Sequence, residues 1–218
     1  MDFKFNDERL LKQALTHSSY AYEKKLKAIK DNEKLEFLGD SVLGFSVTSF
    51  MYDNFPQMTE GDLTKFRAKV VCEANLAMAA RSINLGDYIR LGRGEERTGG
   101  HDRDSILSDA FEALLGAIYL DAGFDAARDF AINILKDSII SLSKSFHMGD
   151  FKTRLQEHVQ KSSVVAVEYI LVGQVGPDHD KLFTVNVMHE GKELGRGNGK
   201  SKKDAEQMAA SAALELLE

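Results

Sequence analysis

The sequence has little of several things, and each shortage excludes a class. A single cysteine, Cys72, cannot close an internal disulfide, and no Cys/His cluster shows zinc-ligand spacing. A stapled secreted scaffold and a zinc module are therefore both excluded, and a reducing cytoplasm is expected. No apolar run approaches the roughly 18 residues that span a bilayer, and the start lacks a basic-then-apolar signal segment, so a soluble chain with no membrane partner is expected. Only two prolines, Pro56 and Pro177, interrupt the chain. There is no excess of positive charge either: the net charge is −6 over 218 residues, which rules out a uniformly basic coat for nucleic acid. Any phosphate binding must be local.

What is present divides the chain by periodicity. Up to about residue 148 the pattern is helical. Leu10, Leu11, Ala14 and Leu15 mark a first helix, and Leu35, Leu38, Val42 and Leu43 a second. Thr59 with Asp62 caps a third, which carries Leu63, Phe66, Val70, Val71 and Ala74. Asp104 to Leu120 and Asp125 to Leu142 give two more, and Gly92 to Gly100 reads as a loop. After a polar stretch come a short helix with Phe151, Leu155 and Val159, then the alternating runs Val165-Val167-Tyr169-Leu171 and Phe183-Val185-Val187. Those alternations predict half-buried strands. A third strand near Leu194 and a helix from Ser201 to Leu217 complete the order. The expected fold is multi-domain: an all-α domain over 1–145, a linker over 146–149 and an α+β domain of α-β-β-β-α order over 150–218.

Four acids stand out in the first domain. Glu36 and Asp40 are four apart and Asp109 and Glu112 three apart, so each pair shares one helix face. A glycine follows each pair, Gly44 after Asp40 and Gly116 after Glu112. Glycine inside a helix costs about 1 kcal/mol against alanine, so a close approach is expected at both. If the two helices pack at these stripes, four carboxylates converge on a site suited to magnesium or manganese rather than zinc. Two such ions roughly 4 Å apart can activate water and stabilise a departing oxygen. Taken without further context, the same acids are equally well solvated helix faces.

The second domain has a local basic patch, five basic residues against one acidic within Lys192 to Lys203, although neither domain is basic on average. Ser201 with Asp204 can cap the last helix, and Lys200, Lys202 and Lys203 surround its start, where free N–H groups suit a phosphate. Such clusters are more often solvated surface. Thr153, Gln156 and Gln160 fall opposite the apolar stripe of the preceding helix, suited to 2′-hydroxyls in an RNA minor groove. His17 reads as a hydrogen-bonded packing residue and Cys72 as core.

Asn32-Glu33-Lys34-Leu35-Glu36-Phe37-Leu38-Gly39-Asp40-Ser41 closely resembles the signature helix of the ribonuclease III family, and Asp109-Ala110-Phe111-Glu112-Ala113-Leu114-Leu115-Gly116 its second acidic helix. Ala14 to Tyr20, Glu60 to Thr64 with Arg67, and Gly94 to Gly100 resemble further family segments. The segment from Lys152 through Gly176-Pro177-Asp178-His179 to Gly197-Asn198-Gly199-Lys200-Ser201-Lys202-Lys203 resembles the double-stranded-RNA-binding domain.

The resemblance implies an endoribonuclease, a hydrolase of double-stranded RNA. Its products would be 5′-phosphate and 3′-hydroxyl ends with short 3′ extensions, in processing of ribosomal and messenger RNA. It implies magnesium, for which manganese can substitute, on Glu36, Asp40, Asp109 and Glu112, with Asp40 and Glu112 as catalytic residues. Glu33 and Glu60 match auxiliary acidic positions. His101 stands where many members carry arginine. Thr153, Gln156, Glu157, His179, Lys200, Lys202 and Lys203 are the implied RNA contacts, and Phe37 the implied lock of a homodimer. The rival from another class is a non-catalytic double-stranded-RNA-binding protein, which the intact acidic quartet disfavours. A helical phosphohydrolase acting on nucleotides is a third possibility.

Overall fold

The computed structural model describes residues 3–25, 30–147, 151–177 and 181–217. It divides into two compact units, Met1–Leu142 and Ser143–Glu218. No helix among the described residues is long and apolar enough to cross a membrane.

The first unit is helical: α1 (Glu8–Ala14), α2 (Ser18–Glu23), α3 (Glu33–Asn54), α4 (Glu60–Val70), α5 (Glu73–Ser82), α6 (Arg93–Arg97), α7 (Asp104–Ala122) and most of α8 (Phe124–His147), whose last turn passes the unit boundary. Short 3₁₀ turns at Leu85–Tyr88 and Gly100–Asp102 flank α6. At the centre lies α7, whose Ile106, Leu107, Ala110, Phe111, Ala113, Leu114, Leu115, Ala117 and Ile118 are all buried. A helix apolar over most of its circumference is a core helix, and here a narrow stripe with Asp109 and Glu112 is acidic. Against it packs α3, through Leu35, Val42, Leu43, Val47 and Met51.

Thr59 and Asp62 form the expected capping box at the start of α4, side chain to backbone in both directions. The helix then ends earlier than its apolar pattern suggests: Val71 and Cys72 break it, and α5 starts afresh at Glu73. Cys72 is the residue before α5 and is exposed, so the expectation of a core cysteine is wrong. Gly92 to Gly100 is not wholly loop, since one short helix, α6, lies inside it. α8 continues through positions 146 and 147, beyond the point where the sequence turns polar.

The second unit follows the order α9 (Phe151–Gln160), β1 (Glu168–Val175), β2 (Leu182–His189), β3 (Lys192–Gly199) and α10 (Lys202–Leu217), with an antiparallel sheet in the order β1-β2-β3. Val185 and Val187 are buried with Leu155 and Val159 of α9 and the alanine face of α10, and Val167, Tyr169, Phe183 and Leu194 pack around them. Val165 and Leu171 do not join this core. The strand starts after Val165, and a register shift between Leu171 and Gly173 breaks the alternation, leaving both side chains exposed.

Alternate residues Gly195, Gly197 and Gly199 of β3 face α10. A Cβ at Gly197 would lie 2.1 Å from the backbone nitrogen of Ala209 and one at Gly199 2.4 Å from that of Ala205. Glycine on the strand and alanine on the helix let α10 lie backbone against backbone on β3, which fixes where the lysines at its start sit.

Candidate active site and RNA-binding surface

The crossing of α3 and α7 is a glycine contact. A Cβ on Gly39 would fall 1.7 Å from the carbonyl oxygen of Glu112, and one on Gly116 would fall 2.3 Å from that of Leu35. Gly116 thus makes the close approach its position suggests. Gly44 does not: a Cβ there meets nothing within 4 Å, and the glycine opposite α7 is Gly39. The difference is one of face, because Gly39 points into the α7 contact whereas Gly44 lies on the outer side of α3.

This crossing sets Asp40, next to Gly39, beside Glu112. The Glu112 carboxyl is pushed up to about 8, chiefly by burial and then by the negative charges of Asp40, Glu36 and Asp109. Burial also raises Glu36 above the ordinary carboxylate range, helped by Asp109, Glu33 and Asp40. Asp109 is raised by burial and by Glu73, against the lowering influence of a Ser108 hydroxyl hydrogen bond and of His17. The four acids therefore share one electrostatic neighbourhood at the centre of the helical unit. Among the described residues no three Asp, Glu, His or Cys side chains are drawn up as a ready-made ion cage. The donors are nonetheless all carboxylate oxygens, with Glu36, Asp109 and Glu112 half-buried and Asp40 exposed beside them, which is the chemistry a hard divalent cation fits.

Glu33, exposed in the first turn of α3, adds its charge to Glu36. Glu60 sits elsewhere, in a groove between α3 and α4 lined also by Thr48, Tyr52 and Arg67, where its carboxylate accepts from the Thr64 hydroxyl at 3.0 Å. Two neighbours of Asp109 escape sequence reasoning. Glu73 opens α5, a helix start hidden inside a continuous apolar pattern, and His17 comes from the start of α2. His17 is a cap: its Nδ1 lies 2.7 Å from Ser19 Oγ and accepts from the Ser19 N–H. That it is hydrogen-bonded is as expected. His101 turns inward, its Nδ1 2.8 Å from the carbonyl of Gly86.

Phe37, between Glu36 and Leu38, is 79% exposed. Phe45 and Tyr52 are also exposed on α3. Spacings of eight and seven residues put the three within one arc of the helix, together with the open Gly44.

In the second unit Thr153 and Glu157 are exposed on α9, and Lys200, Lys202 and Lys203 are exposed around the start of α10, where Ser201 Oγ accepts from the Asp204 N–H at 3.1 Å. Gln156 is half-buried and partly committed, since its side-chain oxygen accepts from the Val167 N–H at 3.2 Å. His179 lies outside the described residues.

Fold and site together define a class: a helical domain centred on four carboxylates, joined to an α-β-β-β-α domain with a lysine-flanked helix start. Residues 7–138 match the Ribonuclease-III-like family and residues 151–217 the double-stranded RNA binding motif. The chain is 50% identical over all of its 218 residues to ribonuclease 3 of Desulforamulus reducens, covering 89% of that protein. It is 49% identical over 217 residues to ribonuclease 3 of Caldanaerobacter subterraneus, covering 95% of it. The nuclease domain of ribonuclease III from Campylobacter jejuni superposes with a TM-score of 0.57 at 44% identity, covering 62% of this chain and 90% of that one. The chain belongs to the ribonuclease III family and is an endoribonuclease with a C-terminal double-stranded-RNA-binding domain.

Proposed function

We propose that the chain hydrolyses phosphodiester bonds of double-stranded RNA at Glu36, Asp40, Asp109 and Glu112, in a magnesium-dependent reaction that leaves 5′-phosphate and 3′-hydroxyl ends with short 3′ extensions. The observation that carries this is the backbone contact of Gly39 with Glu112, which packs the two acidic helices together so that the half-buried Glu112 carboxyl lies beside three other acids and is pushed up to about 8. Such crowding of like charge is unfavourable unless a cation is shared among them. Magnesium bound there supplies a water of lowered pKa and stabilises the charge on the departing oxygen, and manganese suits the same ligands. Asp40 and Glu112, adjacent across the Gly39 contact, act as the catalytic residues, while Glu36 and Asp109 complete the ligand set. Glu33 adds negative charge at the rim, and Glu60 serves as an auxiliary acid from its separate groove.

RNA is held by Thr153, Gln156, Glu157 and His179 in the minor grooves and by Lys200, Lys202 and Lys203 on the phosphates. Gln156 contributes its amide N–H, its oxygen already accepting from the Val167 N–H. The protein works as a homodimer through the outer face of α3, where Phe37, Phe45 and Tyr52 are exposed and Gly44 leaves room for a second helix. The Campylobacter jejuni nuclease domain is itself described by a region involved in dimer formation. The domain junction is taken within 146–149, of which positions 146 and 147 still belong to α8, and the single exposed cysteine suits a reducing cytoplasm, the compartment in which precursors of ribosomal and messenger RNA are processed.

The test is to incubate the protein with a long RNA duplex, with and without magnesium, and size the products. Short duplex fragments in magnesium alone support the reading; an intact duplex in both overturns it.

A further inference from the structure

α9 is tied to α10 at its first turn by two neighbouring residues. The Gln207 side-chain oxygen accepts from the Lys152 N–H at 3.1 Å, which occupies one of the N–H groups a helix start leaves without a helical partner. The Glu206 carboxylate, one position earlier, accepts from Lys152 Nζ at 2.5 Å. The same ammonium lies 4.3 Å from the centre of the Tyr169 ring on β1. Lys152 and Glu206 retain only 35% and 28% of their side-chain exposure, so this lysine is turned inward, unlike Lys202 and Lys203. Tyr169 is held among the same groups: its buried hydroxyl has no hydrogen-bond partner among the described residues, and it meets the lysine through its ring.

Thr153 and Glu157 project from α9, whereas Lys200, Lys202 and Lys203 flank the start of α10, which the glycine row of β3 fixes in place. A duplex touching both sets requires one distance between the two helices. We propose that Lys152 and Glu206 are positioning residues for duplex binding, their ion pair on Tyr169 setting the α9 edge against the lysine end of α10. Lys152 is thus withdrawn from the phosphates, and Glu206, though acidic and one turn from the phosphate lysines, favours binding. The inference rests on the assignment of Thr153, Glu157 and the three lysines as RNA contacts.

The two roles predict opposite signs. An acid near a phosphate site that serves no other purpose weakens binding, so its neutralisation tightens it. A positioning acid does the reverse. The test uses the full chain with a short RNA duplex in chelator, so that nothing is cut, and measures affinity across a salt series. Glu206→Gln and Lys152→Met are each expected to weaken binding about three- to fivefold, the range of a half-exposed pair, with the salt slope of the parent. Lys152→Arg retains parental affinity, and the exchanged pair Lys152→Glu with Glu206→Lys recovers most of it. The proposal is overturned if Glu206→Gln tightens binding or leaves it unchanged, or if the exchanged pair recovers nothing. It is equally overturned if Lys152→Met lowers the log-log slope by the about 0.7 to 0.9 of a lost phosphate contact. Unchanged binding on replacing Lys200, Lys202 and Lys203 together by alanine overturns the RNA-contact assignment instead, a separate result.

Discussion

Gly39 lies directly against the carbonyl oxygen of Glu112, with room for a hydrogen but not for a methyl group: a Cβ there would be 1.7 Å from that oxygen. The contact joins the backbone of one acidic helix to the backbone of the other, one residue from Asp40 and at Glu112 itself. Gly39→Ala must therefore push α3 from α7. Overpacking of this kind costs about 3 kcal/mol, and thermal unfolding is expected to shift down by about 6 to 12 °C with a marked loss of cleavage. Gly44→Ala, where a Cβ meets nothing, is expected to leave the fold intact. Melting curves of the two variants check the contrast.

Glu112→Gln is expected to abolish cleavage and leave duplex binding within a fewfold, because it removes ligand charge without touching the RNA-binding surface. The same residue sets a pH dependence. A carboxyl whose folded pKa is about 8 and whose ordinary value is 4.5 binds its proton more tightly in the folded state. Its stabilising contribution is full below about 4.5 and is lost as pH rises through 8. Without divalent cation the parent should melt at falling temperature across that window, and both Glu112→Gln and added magnesium should flatten the fall. A midpoint that rises with pH in the metal-free parent contradicts the charge crowding.

Replacing Lys200, Lys202 and Lys203 by alanine should weaken binding to all duplex sequences alike and lower the log-log salt slope by about 0.7 to 0.9 for each lost phosphate contact. Titrations of two unrelated duplexes at several salt concentrations measure both. An unchanged slope makes these lysines ordinary solvated surface.

Phe37→Ala should cost the single subunit little, because the ring is largely exposed, and should shift the dimer towards monomer. Sedimentation at several concentrations reads the change. A variant that stays dimeric at the concentrations where the parent does removes Phe37 from the interface.

Much of this was legible in the sequence because it depends on local spacing. The Thr59–Asp62 box, the Ser201–Asp204 cap and the buried alternation of Val185 and Val187 each follow from residues a few positions apart. The acidic pairs were legible for the same reason. Which helix face meets which is a tertiary matter: the spacing points to Gly44, whereas the contact is made by Gly39. Likewise the break at Val71 and Cys72 carries no glycine or proline, so it hid both the start of α5 and the approach of Glu73 to Asp109. Lys152 reads as one more surface lysine until Glu206, 54 positions away, is seen to hold it.

The central claim is metal-assisted hydrolysis by two copies of one acidic site, and the cut ends report on it most directly. One site aligns one phosphodiester, so cutting both strands in a single encounter needs a second copy, which a two-fold axis supplies. Facing strands across the A-form minor groove are staggered, so paired cuts leave 3′ extensions. Water attack with departure of the 3′ oxygen gives 5′-phosphate and 3′-hydroxyl ends and needs no 2′-hydroxyl nucleophile. The measurement is to label both strands of a defined duplex, cleave it in magnesium and map each end at nucleotide resolution. The expected result is short 3′ extensions with those ends, and a nick in one strand alone from heterodimers of parent and Glu112→Gln subunits. Blunt products, 5′ extensions or 2′,3′-cyclic phosphates would contradict it.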